Sequence, residues 1–246
     1  MHELDVARHS RFVDPQLHVW GWEIPVYLFL GGMAAGAMIL TALLAGRAER
    51  SRVARWLPFA APILVSVGMV ALFLDLAYKL PWTSPMSWGA WIRLVVYPVT
   101  LLQGLASLAD DQAEWLAGKA GRLAGLVARA RAFAIPREGA LRTWAIATGI
   151  GLGVYTGILL STLGARALWG SALLGPLFLV SGLSTGAALL MLFRVSPEER
   201  HFLARWDLAA IGLEVVLLVL FLVGMVSGDA QSQGAAALRL GGRFTA

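Results

Sequence analysis

Cysteine is absent from the sequence, which excludes disulfides and any cysteine-ligated zinc or iron–sulfur centre held by this polypeptide alone. Charge is scarce too, at 14% of 246 residues, against roughly 25% in an ordinary soluble domain. The four histidines, His2, His9, His18 and His201, all fall outside the long apolar runs. That position argues against a haem held by histidine between transmembrane helices. The first 22 residues mix acids, bases and histidines without an apolar core, so no cleaved signal peptide is expected there. A formal charge of +5 carries no nucleic-acid footprint, because the arginines sit in short loops between apolar runs, where membrane orientation accounts for them.

What is abundant is apolar surface, 58% of the residues with a mean hydropathy of +0.71. This composition predicts an all-α, polytopic transmembrane helix bundle. Six candidate spans lie near 23–45, 57–78, 88–108, 140–163, 170–193 and 208–228. An amino-terminal segment, 1–22, precedes the bundle. The tail 229–246 follows it, either as a true terminus or as the start of a further helix. The stretch from Trp20 to Gly36 organises the reading. Two tryptophans stand where amphipathic rings favour the headgroup level, and Gly32 and Gly36 offer a small-xxx-small face for close helix packing. The same spacing recurs at Gly149, Gly153 and Gly157, and at Gly182 and Gly186.

Loop charge sets the expected orientation. Thirteen cations, from Arg47 through Arg205, fall in the loops after spans one, three and five, and six fall on the other side. The positive-inside rule then places both termini outside. The longest loop, 109–139, is rich in Ala, Gly, Arg and Leu. It reads equally as an amphipathic helix on the cytoplasmic surface and as a helical connector.

Four stretches, taken together, carry a family resemblance. They are Trp20 to Gly36, Thr83-Ser84-Pro85-Met86-Ser87-Trp88-Gly89-Ala90-Trp91, Tyr155-Thr156-Gly157-Ile158-Leu159-Leu160-Ser161, and Phe178 to Ala188. In this order they resemble the NrfD/PsrC family, the integral membrane subunits of polysulfide-reductase-type respiratory complexes. The resemblance implies a subunit of the bacterial cytoplasmic (inner) membrane that binds quinone, menaquinone or ubiquinone, and carries no haem or iron–sulfur cluster of its own. Its implied partners are an extracytoplasmic four-cluster iron–sulfur subunit and, through it, a catalytic subunit of molybdopterin or multihaem type. The chain departs from the family in its six spans, where eight or more are usual, and in the short turn Lys79-Leu80-Pro81-Trp82.

With this topology, polar and aromatic residues gather near the outer face. Tyr27 and Tyr155 are expected to donate hydrogen bonds to quinone oxygens, with Trp88 walling the pocket and His18 above it. Glu23 or Asp75 would exchange protons with the outer water, and Glu214 would open a path from the cytoplasm past Ser184 and Thr185. Each has a plainer reading. Glu23 precedes Pro25 at a helix start and is suited to capping, and Asp75 with Lys79 is spaced as a helix-end ion pair. The tryptophans suit an aromatic belt, and His18 an ordinary surface position. Arg93 and Glu214 have stems long enough to snorkel to opposite surfaces. Two other functions compete with the quinone-reactive subunit. A transporter or ion-translocating bundle would show polar or broken helices near the midplane, and a structural anchor would bind no quinone.

Overall fold

The computed structural model describes residues 22–47, 49–75, 85–161, 171 and 173–226. The described residues form α1 (Glu23–Leu44), a 3-10 turn (Ala54–Phe59) that runs into α2 (Ala60–Asp75), and α3 (Pro85–Ser107). Two short helices follow, α4 (Asp110–Ala120) and α5 (Ala124–Ala134), then α6 (Glu138–Ser161), α7 (Leu174–Met191) and α8 (Pro197–Val226). Four of these segments are long and apolar enough to cross a membrane: Ile24–Leu44, Ala54–Phe73, Leu174–Met191 and Pro197–Gly224. The apolar part of α3, Trp91–Ser107, is shorter. At 24 residues α6 extends about 36 Å, ample for a crossing, while its glycines, threonines and Arg142 dilute its apolar character. The predicted six-helix bundle is therefore present. The predicted terminal segments, 1–22 and 229–246, lie outside the described residues apart from Trp22.

Helix α1 is the axis of the bundle and packs against α2, α6 and α7, while α3 leans on α6 and α8 contacts mainly α7. The glycine faces of α1 and α7 meet each other. A methyl group on Gly182 would lie 2.5 Å from the Gly32 carbonyl oxygen, and one on Gly186 would lie 2.7 Å from the Ala37 nitrogen. The backbones touch, which no larger residue permits. Around this crossing, Ala37, Leu40 and Leu44 pack with Ala187, Leu190 and Leu203. A second cluster joins Ala34, Ala35 and Met38 to Val65, Val96 and Leu152, and so ties α1 to α2, α3 and α6.

The alternation of helices puts all the arginine-rich connections at one end, which we call the basic end. Polar bonds hold it together. Arg142 Nε donates to the Ala42 carbonyl (3.1 Å), Arg50 pairs with Glu138 (3.1 Å), and Ser107 Oγ donates to the Arg55 carbonyl (3.0 Å). Glu199 is the hub. It is 2% exposed, and its carboxylate accepts from Ser51 N–H (2.8 Å), Ser51 Oγ–H (2.7 Å) and Ser196 N–H (2.8 Å). Glu199 N–H in turn donates to Ser196 Oγ (3.2 Å). This reciprocal Ser-x-x-Glu capping box starts α8 at Pro197, eleven residues before the predicted span begins at 208. The helix simply outruns its apolar part.

Loop 109–139 resolves into α4 and α5, joined at Gly121, the described glycine with positive φ (53°). It is a helical connector whose α5 packs on α3, and it leaves Trp115, Leu126 and Phe133 exposed.

Candidate functional site

At the end opposite the arginine loops, three helices contribute one residue each to a buried cluster. Tyr27 lies about 6 Å along α1, Arg93 about 12 Å along α3, and Tyr155 about 9 Å from the end of α6. Their relative exposures are 8%, 6% and 6%. The Arg93 guanidinium carbon sits 4.7 Å from the centroid of the Tyr27 ring. A desolvated cation over an aromatic face contributes about 2 kcal/mol. The phenols of Tyr155 and Tyr97 lie close enough to interact with Arg93 electrostatically. Among the described residues no carboxylate pairs with it.

Local sequence makes this packing possible. Gly89 is one turn before Arg93 on α3, and a methyl group there would lie 2.6 Å from the Tyr155 hydroxyl oxygen and 2.7 Å from its ring. The missing side chain is the space the phenol occupies, so the Trp88-Gly89-Ala90-Trp91 motif serves the tyrosine of α6. Tyr27 packs more loosely against Gly68 of α2, its ring carbon 3.7 Å from where a methyl group would stand, an ordinary van der Waals contact. Leu28 and Leu72 pack beside it, with Phe178 closing the group.

The predicted residues fall out as follows. Tyr27 and Tyr155 come together, joined by Arg93. That arginine does not snorkel, because it is buried and stacked. Glu23, Asp75 and Trp88 fall within α1, α2 and α3 at this same end, but their side chains lie outside the described part of the structure, and so do His18 and Lys79 entirely. Trp22 and Trp91 are 65% and 59% exposed at this level, the placement of an aromatic belt. Glu214 is remote from the cluster. It is half-buried on α8, two turns beyond Asp207, and Asp207 accepts a 2.6 Å hydrogen bond from Ser184 Oγ of α7. Thr185 donates to its own helix, at the Ser181 carbonyl (2.9 Å).

Two functional candidates were missed from sequence. Tyr97 shares a 2.9 Å hydrogen bond with Ser66 of α2, and it sits four residues after Arg93. That i,i+4 spacing was a usable signal, since it puts both on one face of α3. The same face continues inward through Thr100, Gln103 and Ser107, all at most 2% exposed. Both amide atoms of Gln103 lack a partner among the described residues, an arrangement that calls for bound water. Among the described residues no three acidic or histidine side chains are grouped to hold a metal ion.

Comparison with known proteins bears on the same residues. The family described as "Polysulphide reductase, NrfD" matches residues 10–245. "Protein NrfD" of Escherichia coli (strain K12) is 32% identical over 253 residues, covering 92% of this chain and 77% of that protein. The polysulfide reductase C polypeptide of Wolinella succinogenes is 31% identical over 248 residues, 91% of this chain and 76% of its own length. "Protein NrfD homolog" of Haemophilus influenzae is 28% identical over 247 residues, covering 89% of this chain and 74% of that protein. No solved structure gives a significant match. The Gly89–Tyr155 contact and the Gly32–Gly182 crossing thus lie inside a match that takes in all of the described residues, and this helix bundle is an integral membrane protein that belongs to the NrfD polysulphide reductase family.

Proposed function

We propose that this protein is the quinone-reactive membrane subunit of a respiratory oxidoreductase complex. Family membership supports the membrane role, and a relative whose name makes it one lettered polypeptide of polysulfide reductase supports a place among several subunits. The observation that carries the reading is the buried Arg93 guanidinium over the Tyr27 ring, within electrostatic reach of the Tyr155 phenol. Burying a charge is costly, and a membrane protein retains one where it has work to do. A quinone head presents two carbonyl oxygens that accept hydrogen bonds and a flat ring that stacks, and when bound it supplies two-electron, two-proton chemistry. The donors here fit such a group: five N–H bonds on Arg93 and a phenol O–H on each tyrosine.

In this reading Tyr155 and Arg93 hold the carbonyl oxygens, and the Arg93 charge favours the form in which negative charge builds on them. Tyr27 fixes the guanidinium from α1. Glu23 and Asp75, which share this end of the bundle, exchange protons with the aqueous phase. Trp88 and His18 complete the pocket. Because the sequence has no cysteine, the electrons pass to or from a separate iron–sulfur subunit on the outer side. That subunit connects in turn to a catalytic subunit.

The test is titration of a water-soluble quinone analogue into the purified protein in detergent, followed by tryptophan fluorescence. The expected result is saturable quenching. Arg93→Met should weaken affinity more than tenfold, the scale of a hydrogen bond to a charged group, and Tyr155→Phe by about threefold to tenfold. Both variants should keep the melting temperature within a few degrees. Quenching that does not saturate, or that neither substitution changes, would overturn a quinone site in this cluster.

A further inference from the structure

The basic end holds a second feature, unrelated to the tyrosine cluster. Between the end of α1 and the first turns of α8 lies a cavity of about 430 Å³ lined by Arg47, Glu198, His201, Phe202, Arg205 and Trp206. Its floor is aromatic. The Arg47 guanidinium carbon stands 5.1 Å from the Phe202 centroid, and Phe202 meets Trp206 edge to face at 6.3 Å. Most arginines nearby are engaged: Arg50, Arg52 and Arg131 pair with carboxylates, and Arg142 and Arg55 donate to carbonyls. Among the described residues Arg47 and Arg205 make no ion pair. Against their two charges the cavity wall carries one acid, Glu198.

Depth decides what these charges meet. Helix α8 has 30 residues and is about 45 Å long, whereas the hydrocarbon layer is about 30 Å thick. The ten residues before Asp207 therefore stand at the level of lipid headgroups, and Trp206 marks the boundary. Below the cavity α8 is almost bare. Of its most apolar 18 residues only 6% are buried, and Leu213, Val216, Leu220 and Val223, which continue the helix face of Phe202, Arg205 and Ala209, are exposed. A cationic hollow with an aromatic floor thus opens directly onto a long apolar wall.

We propose that this hollow binds the phosphate of an anionic phospholipid, with Arg47 and Arg205 on the phosphate oxygens and the acyl chains lying along α8. A free phosphate ion would use the same two cations but would gain nothing from the wall. The wall is the reason to choose the lipid. The site does not depend on the quinone reading, and its test involves no electron transfer.

The experiment is native mass spectrometry of the purified full-length protein after exchange into equal mixtures of phosphatidylglycerol and phosphatidylcholine. Phosphatidylglycerol should be retained preferentially. The double variant Arg47→Gln/Arg205→Gln should lower its retention about 30-fold, and either single variant about fivefold. Arg47→Lys/Arg205→Lys should keep most of the preference. Glu198→Gln should strengthen it, which provides a second readout if the double glutamine variant does not fold. Equal retention of the two lipids, or a preference unmoved by both the glutamine and the Glu198 substitutions, would overturn the proposal. Displacement of phosphatidylglycerol by millimolar inorganic phosphate would also overturn it, in favour of a free-anion site.

Discussion

Helices α1 and α8 are both long and strongly apolar, yet of the most apolar 18 residues in each, 67% are buried within the protein in the first and 6% in the second. Apolar character alone therefore does not tell a central helix from a lipid-facing one. Small residues do. In α1, Gly31, Gly32, Gly36, Ala34, Ala35, Ala37 and Ala42 let neighbouring backbones approach, and six of these seven are buried. In α8 the membrane portion is mostly Leu and Val, with side chains that fill lipid space as well as protein space, and its few small residues, Ala209, Ala210, Gly212 and Gly224, form no such continuous face. Where lipid is as apolar as leucine, only close packing and polar bonds reward helix contact.

The comparison can be broken at its strongest point by Gly182→Leu. With Gly32 already in backbone contact, the added side chain has nowhere to go and must push α1 and α7 apart. We expect a loss above about 3 kcal/mol, beyond the usual cost of overpacking, seen as the disappearance of a monodisperse peak in size-exclusion chromatography. The one described polar bond between α7 and α8, from Ser184 to Asp207, is the intermediate case. Ser184→Ala should cost about 0.6 to 1.7 kcal/mol, a fall of a few degrees in melting temperature. At the weak end, Val216→Ala on the bare face of α8 should stay within about 0.5 kcal/mol. A larger effect would mean that another surface covers α8.

Much of this was legible in the sequence. The six apolar runs gave the bundle, and the motif stretches gave the family, because both depend on local composition and order. The pairing of the Gly32/Gly36 face with the Gly182/Gly186 face was half legible: each face could be read, but not which face it meets. Arg93 was harder. Its sequence position fits snorkelling as well as burial, and the choice is made by a ring from α1 and by space that Gly89 leaves on its own helix. Gly89, one turn away, is visible in a helical-period reading of α3, but the Tyr27 ring from α1 is not. The early start of α8 was written in Ser196-x-x-Glu199, but a scan for apolar runs looks past a polar capping box. Glu23, Asp75, Trp88, His18 and Lys79 remain expectations from sequence, placed by the quinone reading and by nothing else.

The Glu199 clasp has a consequence for how the protein is made. Ser51 follows the first helix, and its carboxylate partner comes 148 residues later. At a synthesis rate of 5 to 20 residues per second, the serine waits roughly 7 to 30 seconds for its acceptor. Until then the first loop is anchored only by its earlier bonds. The last of the described helices therefore locks a connection made near the beginning, and arrival of the carboxylate ties the first loop to α8.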